Sequence, residues 1–181
     1  MRSVLQHGEC QDPVLTAGQD QATWFVLHTR SRQEKAVAES LSALGIEHFL
    51  PTVERRKRYA HRTRIVEFPL FPSYVFMRGG DSARVAAYDT QRVAAVLPVK
   101  DQARLEHELN QIRFAIDSGV EVDPYPYLKV GNWVRVRSGP LQGLEGIVED
   151  RREIQRLILQ VHVLNRALSL GIDGHLLEPL D

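Results

Sequence analysis

From Trp24 onward, apolar residues recur along the chain in two rhythms, separated by polar and glycine- or proline-containing breaks. Trp24-Phe25-Val26-Leu27-His28 reads as a strand and as the beginning of ordered structure. Over residues 31–44, Ala36, Val37, Ala38, Leu41 and Leu44 fall at helical spacing, with Ser31 as the expected N-cap and Gly45 as the stop. Ile46–Leu50 returns to a strand that Pro51 ends. Phe68–Met77 is a further strand, and Pro69 and Pro72 make its first part loop or sheet edge. A short helix over 81–89, a strand over Val93–Val99 and a helix over 101–117 follow, the last with Leu105, Leu109, Ile112 and Ile116 along one face. The order β-α-β-β-α-β-α predicts an α+β fold, an antiparallel-sheet α/β sandwich with its helices on one side.

Residues 118–130, with Gly119, Pro124 and Pro126, read as a linker. Beyond them the segments become short, near 132–137, 144–150, 154–163, 166–171 and 175–178, and predict a small five-stranded β-barrel. Val134 and Val136 alternate with Arg135 and Arg137, which puts valine on one face and arginine on the other. Ser138-Gly139-Pro140 breaks the strand, and Gly143 and Gly146 sit where a bulge or a close backbone approach excludes a Cβ. Leu157–Leu170 is leucine-rich enough to suit a helix too, but the alternation of this region favours strands. The expected division is a disordered leader over 1–22, a first domain over 23–117, the linker, and a barrel over 131–181.

Composition narrows this mainly by exclusion. The apolar runs are too short for a transmembrane helix, and the N-terminus lacks the basic-then-apolar order of a signal peptide. A single cysteine, Cys10, excludes an internal disulfide framework and fits a cytoplasmic protein. The seven histidines are scattered without ligand spacing, so no metal site and no cofactor is expected. No motif sets a nucleophile beside a base, and no phosphate loop is present, so an enzyme is not expected.

Charge changes the picture more. The 23 basic and 23 acidic residues cancel overall but are unevenly spread. Residues 23–118 hold fifteen bases and eleven acids, net +4, whereas 119–181 hold seven bases and nine acids, net −2. Two modules with different partners are implied, and nucleic acid suits only the first. Six of the bases, Arg55, Arg56, Lys57, Arg58, Arg62 and Arg64, fall within ten residues that contain no acid. Such density calls for phosphate or full solvation. Arg30 and Arg32, just before the first helix, can add phosphate contacts.

Two sets of residues carry a family resemblance. Val134, Val136, Gly139, Pro140, Leu141, Gly143, Gly146 and Val148 fill the pattern of a KOW domain. Trp24-Phe25-Val26-Leu27, Arg30, Glu34, Leu41, Gly45, Leu50 and Pro51, with Phe68-Pro69-Leu70-Phe71-Pro72-Ser73-Tyr74-Val75-Phe76, resemble the NusG N-terminal domain. The resemblance covers about 24–180. It implies a transcription elongation and antitermination factor of the NusG family. The family usually has Gly where this chain has Ser73, and Leu70–Phe76 is closer to the specialised RfaH-like paralogues that act on long operons.

What the resemblance implies about sites is specific. The first domain would dock on the clamp helices of RNA polymerase through an apolar groove built by Phe71, Tyr74 and Phe76, which Leu97, Leu109 and Ile112 can extend. Core packing is the other role open to all three aromatics, with partner contact favoured for Phe71 and Tyr74, and it is the role favoured for Leu97, Leu109 and Ile112. The basic segment would approach DNA near the upstream fork or the non-template strand, a solvated hairpin being the bland alternative. The barrel glycines are architectural, and the barrel would recruit a protein: a ribosomal protein, or the Rho termination factor. A monomer without membrane contact is expected. Two other functions remain open at this point, a housekeeping NusG-type factor and an RNA- or ribosome-binding KOW protein. The latter calls for a basic barrel, against the net −2.

Overall fold

The computed structural model of the chain describes residues 22–59, 62–125, 131–151 and 154–180. The expected leader over 1–22 therefore lies, but for Ala22, outside the described residues. The first module contains β1 (Thr23–Thr29), α1 (Glu34–Ala43), β2 (Glu47–Phe49), β3 (Thr52–Tyr59), β4 (Arg62–Pro69), β5 (Tyr74–Gly79), α2 (Asp81–Asp89), β6 (Val93–Pro98) and α3 (Gln102–Asp117). Its main sheet is antiparallel in the order β2-β5-β1-β6, and β3 pairs with β4 in a separate hairpin.

The helices lie on both faces of that sheet, which corrects the expectation of one. Leu27, Val75 and Met77 are buried with Val37 and Leu41 of α1 and Ala83 and Ala87 of α2. Their strand neighbours Trp24, Val26 and Phe76 point the opposite way and are buried with Leu105, Leu109, Ile112 and Ala115 of α3. Successive strand residues face opposite sides, so strands apolar at every position need cover on both. Gln102 fixes α3 to the sheet by acting as a substitute peptide: its Oε1 accepts from Trp24 N at 2.6 Å and its Nε2 donates to Trp24 O at 3.0 Å. Asp101 caps α3 by accepting from Arg104 N at 3.0 Å.

Ser31 does not cap α1. The helix starts at Glu34 after Gln33, with no side-chain cap bond, because Arg32 turns through a left-handed φ of 61°. The β3–β4 hairpin holds two strands that the apolar pattern missed, since six bases hide the alternation of Val53, Val66 and Phe68.

The second module comprises β7 (Val122–Tyr125), β8 (Asn132–Val136), β9 (Glu145–Arg151), β10 (Ile154–Val161), β11 (Arg166–Ile172) and β12 (Leu177–Pro179), in the order β12-β8-β9-β10-β11-β7. Five of these match the expected barrel strands, and Leu157–Leu170 is β10 and β11 rather than helix. The sixth, β7, comes from the segment read as linker and pairs with β11, Val122 opposite Leu170 and Tyr125 opposite Ala167. Gly139 and Gly143 have φ of +90° and +91°, which favours glycine. Gly146 is needed for another reason: a Cβ there would lie 2.6 Å from the carbonyl oxygen of Ile158 on the neighbouring strand. Val134 and Val136 are buried and Arg135 and Arg137 exposed, as the alternation requires.

Candidate functional site

The apolar face of the first module is not open to solvent. The buried side chains around Phe71, Phe76, Leu105, Leu109 and Ile112 are continuous with Val134, Val136, Leu157, Leu159, Val161, Leu168 and Leu170 of the barrel in one cluster. Phe71 is 1% exposed and meets Phe76 edge to face, ring centres 6.0 Å apart. The turn after β4 produces this burial. Leu70 N donates to Pro51 O at 2.9 Å and Tyr74 N to Phe71 O at 3.1 Å, which curls Leu70 and Phe71 into the cluster. Tyr74 and Leu97 stay half-buried at its margin. Tyr74 stacks on His28 at 5.2 Å, and the guanidinium of Arg166, from barrel strand β11, lies 5.8 Å from its ring centre.

Polar contacts along α3 hold the barrel in place. Gln111 forms a two-way bond with the Glu145 backbone, Nε2 donating to O at 3.1 Å and Oε1 accepting from N at 3.0 Å. One turn earlier, the Glu108 carboxylate, 9% exposed, accepts from Arg104 Nε at 3.2 Å and from His162 N at 3.2 Å. His162 Nδ1 also bonds to Glu108, and its Nε2 meets Arg104. With the ring neutral, Nδ1 donates to the carboxylate and Nε2 accepts from the guanidinium. Beside this seam a small cavity of about 80 Å³ lies between α3 and the barrel, with the half-exposed Trp133 at its wall. Sequence reasoning missed the seam, since Glu108 and His162 are 54 positions apart.

The basic residues gather elsewhere. In the hairpin register Arg55 is opposite Val66, Arg56 opposite Ile65, Lys57 opposite Arg64, Arg58 opposite Thr63 and Tyr59 opposite Arg62. Arg56, Arg58 and Arg64 are exposed. Arg55 instead pairs with Asp123 of β7. Arg30 and Arg32 occupy the exposed turn between β1 and α1, where Arg30 N donates to Arg92 O at 2.8 Å. His28 pairs with Tyr74 and Phe49 with Phe76, so this turn and the hairpin base leave the sheet at the same end. Beside them the left-handed φ of Ser73, 68°, is held by Ser73 N donating to the buried Glu34 carboxylate at 2.7 Å and Ser73 O accepting from Thr29 N at 2.9 Å. That φ is the physical reason a glycine suits the position.

Among the described residues no group of three or more His, Cys, Asp or Glu side chains could hold a metal, and no helix is long and apolar enough to cross a membrane.

Residues 22–113 match the family model described as transcription termination factor nusG. The transcription termination/antitermination protein NusG of Pseudomonas aeruginosa is 28% identical over 166 residues, covering 83% of this chain and 94% of that protein. A structure titled "Domain interaction in Thermotoga maritima NusG" aligns with a TM-score of 0.49 at 20% identity, over 89% of this chain and 98% of the other. An MjSpt4:Spt5 complex aligns at 0.30 and 14% identity, over 88% and 99%. With the family model spanning half of its length, the chain belongs to the NusG family: it is a transcription termination/antitermination factor and not an enzyme.

Proposed function

We propose that this factor binds the clamp helices of RNA polymerase through the apolar face of its first module and suppresses pausing or termination. The observation that carries the reading is how that face is covered. A continuous apolar surface, from Phe71 and Phe76 to Leu109 and Ile112, is closed by a barrel that the chain holds through a short polar seam on α3. Apolar burial supplies affinity without direction, while a few hydrogen bonds fix one orientation and release cheaply into water. A cover of this type suits exchange for an external partner. Tyr74, at the margin under Arg166, is the side chain a partner reaches first, and it combines large contact area with few rotors.

In this reading Phe71, Tyr74, Phe76, Leu97, Leu109 and Ile112 form the polymerase surface once the barrel moves away. Arg30, Arg32, Arg55, Arg56, Lys57, Arg58, Arg62 and Arg64 face DNA near the upstream fork or the non-template strand. Closing the clamp and favouring the paired upstream duplex shift the enzyme out of its paused state, so differential binding is the whole mechanism. The barrel, with its net negative charge, takes a protein such as a ribosomal protein or Rho. The factor works as a monomer in the cytoplasm, where its polymerase is. Leu70–Phe76 with Ser73 favours an RfaH-like paralogue over the housekeeping factor.

The test is Tyr74→Ala assayed for affinity to elongation complexes, with circular dichroism to verify folding. A folded variant with at least tenfold weaker binding is expected. Undiminished binding by a folded variant would remove the groove assignment.

A further inference from the structure

The hairpin's basic face is already partly occupied, by an acid of the chain itself. Arg55 shares its face of the ladder with Val53 and with positions 57 and 64, because residues two apart point the same way and cross-strand partners share a side. Val53 packs at the edge of the buried cluster, so this face turns toward the segment that follows α3. That segment, 118–125, holds Glu121 and Asp123 and no base. Between it and the hairpin base runs an open cleft of about 520 Å³, lined by Val53 and Arg55 on one side and Val120, Glu121, Val122 and Asp123 on the other. Asp123 closes on the Arg55 guanidinium across it.

Asp123 is also part of β7, the four-residue edge strand that the connecting segment adds to the barrel. Pro124, opposite Leu168, brings no N–H to that ladder. So short an edge strand is weakly held by its backbone alone, and the ion pair to the hairpin adds to the hold given by the buried Val122 and by Tyr125, which bonds to Glu149. The same carboxylate therefore belongs to two structures. It neutralises the inner base of the nucleic-acid surface, and it anchors the strand that ties the connection to the barrel.

We propose that this acidic strand, through Asp123 with Glu121 beside it, is an internal competitor for the sugar–phosphate backbone at the hairpin, so that nucleic acid on the hairpin and docking of β7 on the barrel oppose each other. The proposal rests on the nucleic-acid reading of the hairpin given above. Its consequence is reciprocal by linkage: a strand of nucleic acid that takes Arg55 loosens β7, and release of the barrel exposes Arg55 for phosphate. Polymerase engagement and nucleic-acid contact then reinforce each other, and the free factor is kept from binding nucleic acid indiscriminately.

The experiment uses the full chain and a fluorescein-labelled twenty-nucleotide single-stranded DNA, with anisotropy at low salt and hydrogen exchange of the β7 and β11 amides with and without DNA. Asp123→Asn should bind roughly two- to fivefold more tightly than the natural chain, the range expected for removing one half-exposed ion pair. DNA should raise exchange at Val122, Asp123 and Tyr125 in the natural chain. Arg64→Ala should weaken binding in both backgrounds, which locates the DNA on the hairpin. Tighter binding by Asp123→Asn with β7 exchange unchanged by DNA would overturn the coupling, since general charge would then explain the affinity. Equal affinities would overturn it as well, with the hairpin reading left standing. No binding by either form, or binding indifferent to Arg64→Ala, would take away the hairpin reading and the coupling with it.

Discussion

Glu108→Ala tests whether the polar seam holds the barrel over the apolar face proposed to bind polymerase. The carboxylate accepts from Arg104 Nε, from His162 N and from the His162 ring, and it is 9% exposed. Hydrogen bonds to a charged group contribute about 1.5–3 kcal/mol each, and an orphaned donor costs about 1–3 kcal/mol. These are offset by relief from keeping a carboxylate largely out of water, which costs several kcal/mol when uncompensated. A net loss of about 2 kcal/mol in docking follows, and the ratio of docked to released barrel falls about thirtyfold. The first module should stay folded, because the apolar face of α3, Leu105, Leu109 and Ile112, is untouched. Hydrogen exchange should rise across the α3–β10 contact while β1 and β5 stay protected. Affinity for elongation complexes should rise in proportion, since the binding-competent fraction grows. Faster exchange with unchanged polymerase affinity would refute the idea that the barrel covers the binding surface. Unchanged exchange would refute the seam itself.

Three further outcomes follow from single contacts. Ser73→Gly should stabilise the first module by about 0.5–1 kcal/mol, since a side chain at a φ of 68° is strained; a lower urea midpoint would contradict this. Gly146→Ala should destabilise the barrel by about 2 kcal/mol or more, because the new Cβ meets the Ile158 carbonyl at 2.6 Å, and barrel unfolding should precede that of the first module on heating. The Glu67 carboxyl is held below its ordinary value, first by the hydrogen bond from Lys35 at 2.6 Å and then by that from Thr52 at 2.9 Å. A lowered folded value means the folded state binds fewer protons, so the stabilisation is present above the ordinary carboxylate value and is lost as pH falls through the lowered one. Lys35→Met should therefore cost less than about 1 kcal/mol at neutral pH, both groups being half exposed, and the difference from the natural chain should vanish in acid; a difference that grows in acid would contradict this.

The parts of the fold written in local patterns were legible from the sequence. Leu105, Leu109 and Ile112 mark the buried face of α3, and Val134 and Val136 with the glycines after them mark the first barrel turn. What could not be read depends on residues far apart in the chain. Phe71 looks like an exposed edge residue next to Pro72, and only the Leu70–Pro51 bond shows why it turns inward. Asp123 looks like linker until β11 is found beside it. Glu108 looks like one more surface acid of an amphipathic helix until His162 arrives from the barrel. The basic run pointed to a polyanion, but its local pattern held no sign that Arg55 is taken by an acid 68 positions away.

Hydrogen exchange of the full chain bound to RNA polymerase elongation complexes tests the central claim most directly. New protection should appear at Phe71–Phe76 and along Leu105–Ile112 while barrel segments around Glu145 and His162 lose theirs, because polymerase replaces the barrel on that face. Protection confined to the barrel, with α3 and the turn at Phe71 unchanged, would contradict it.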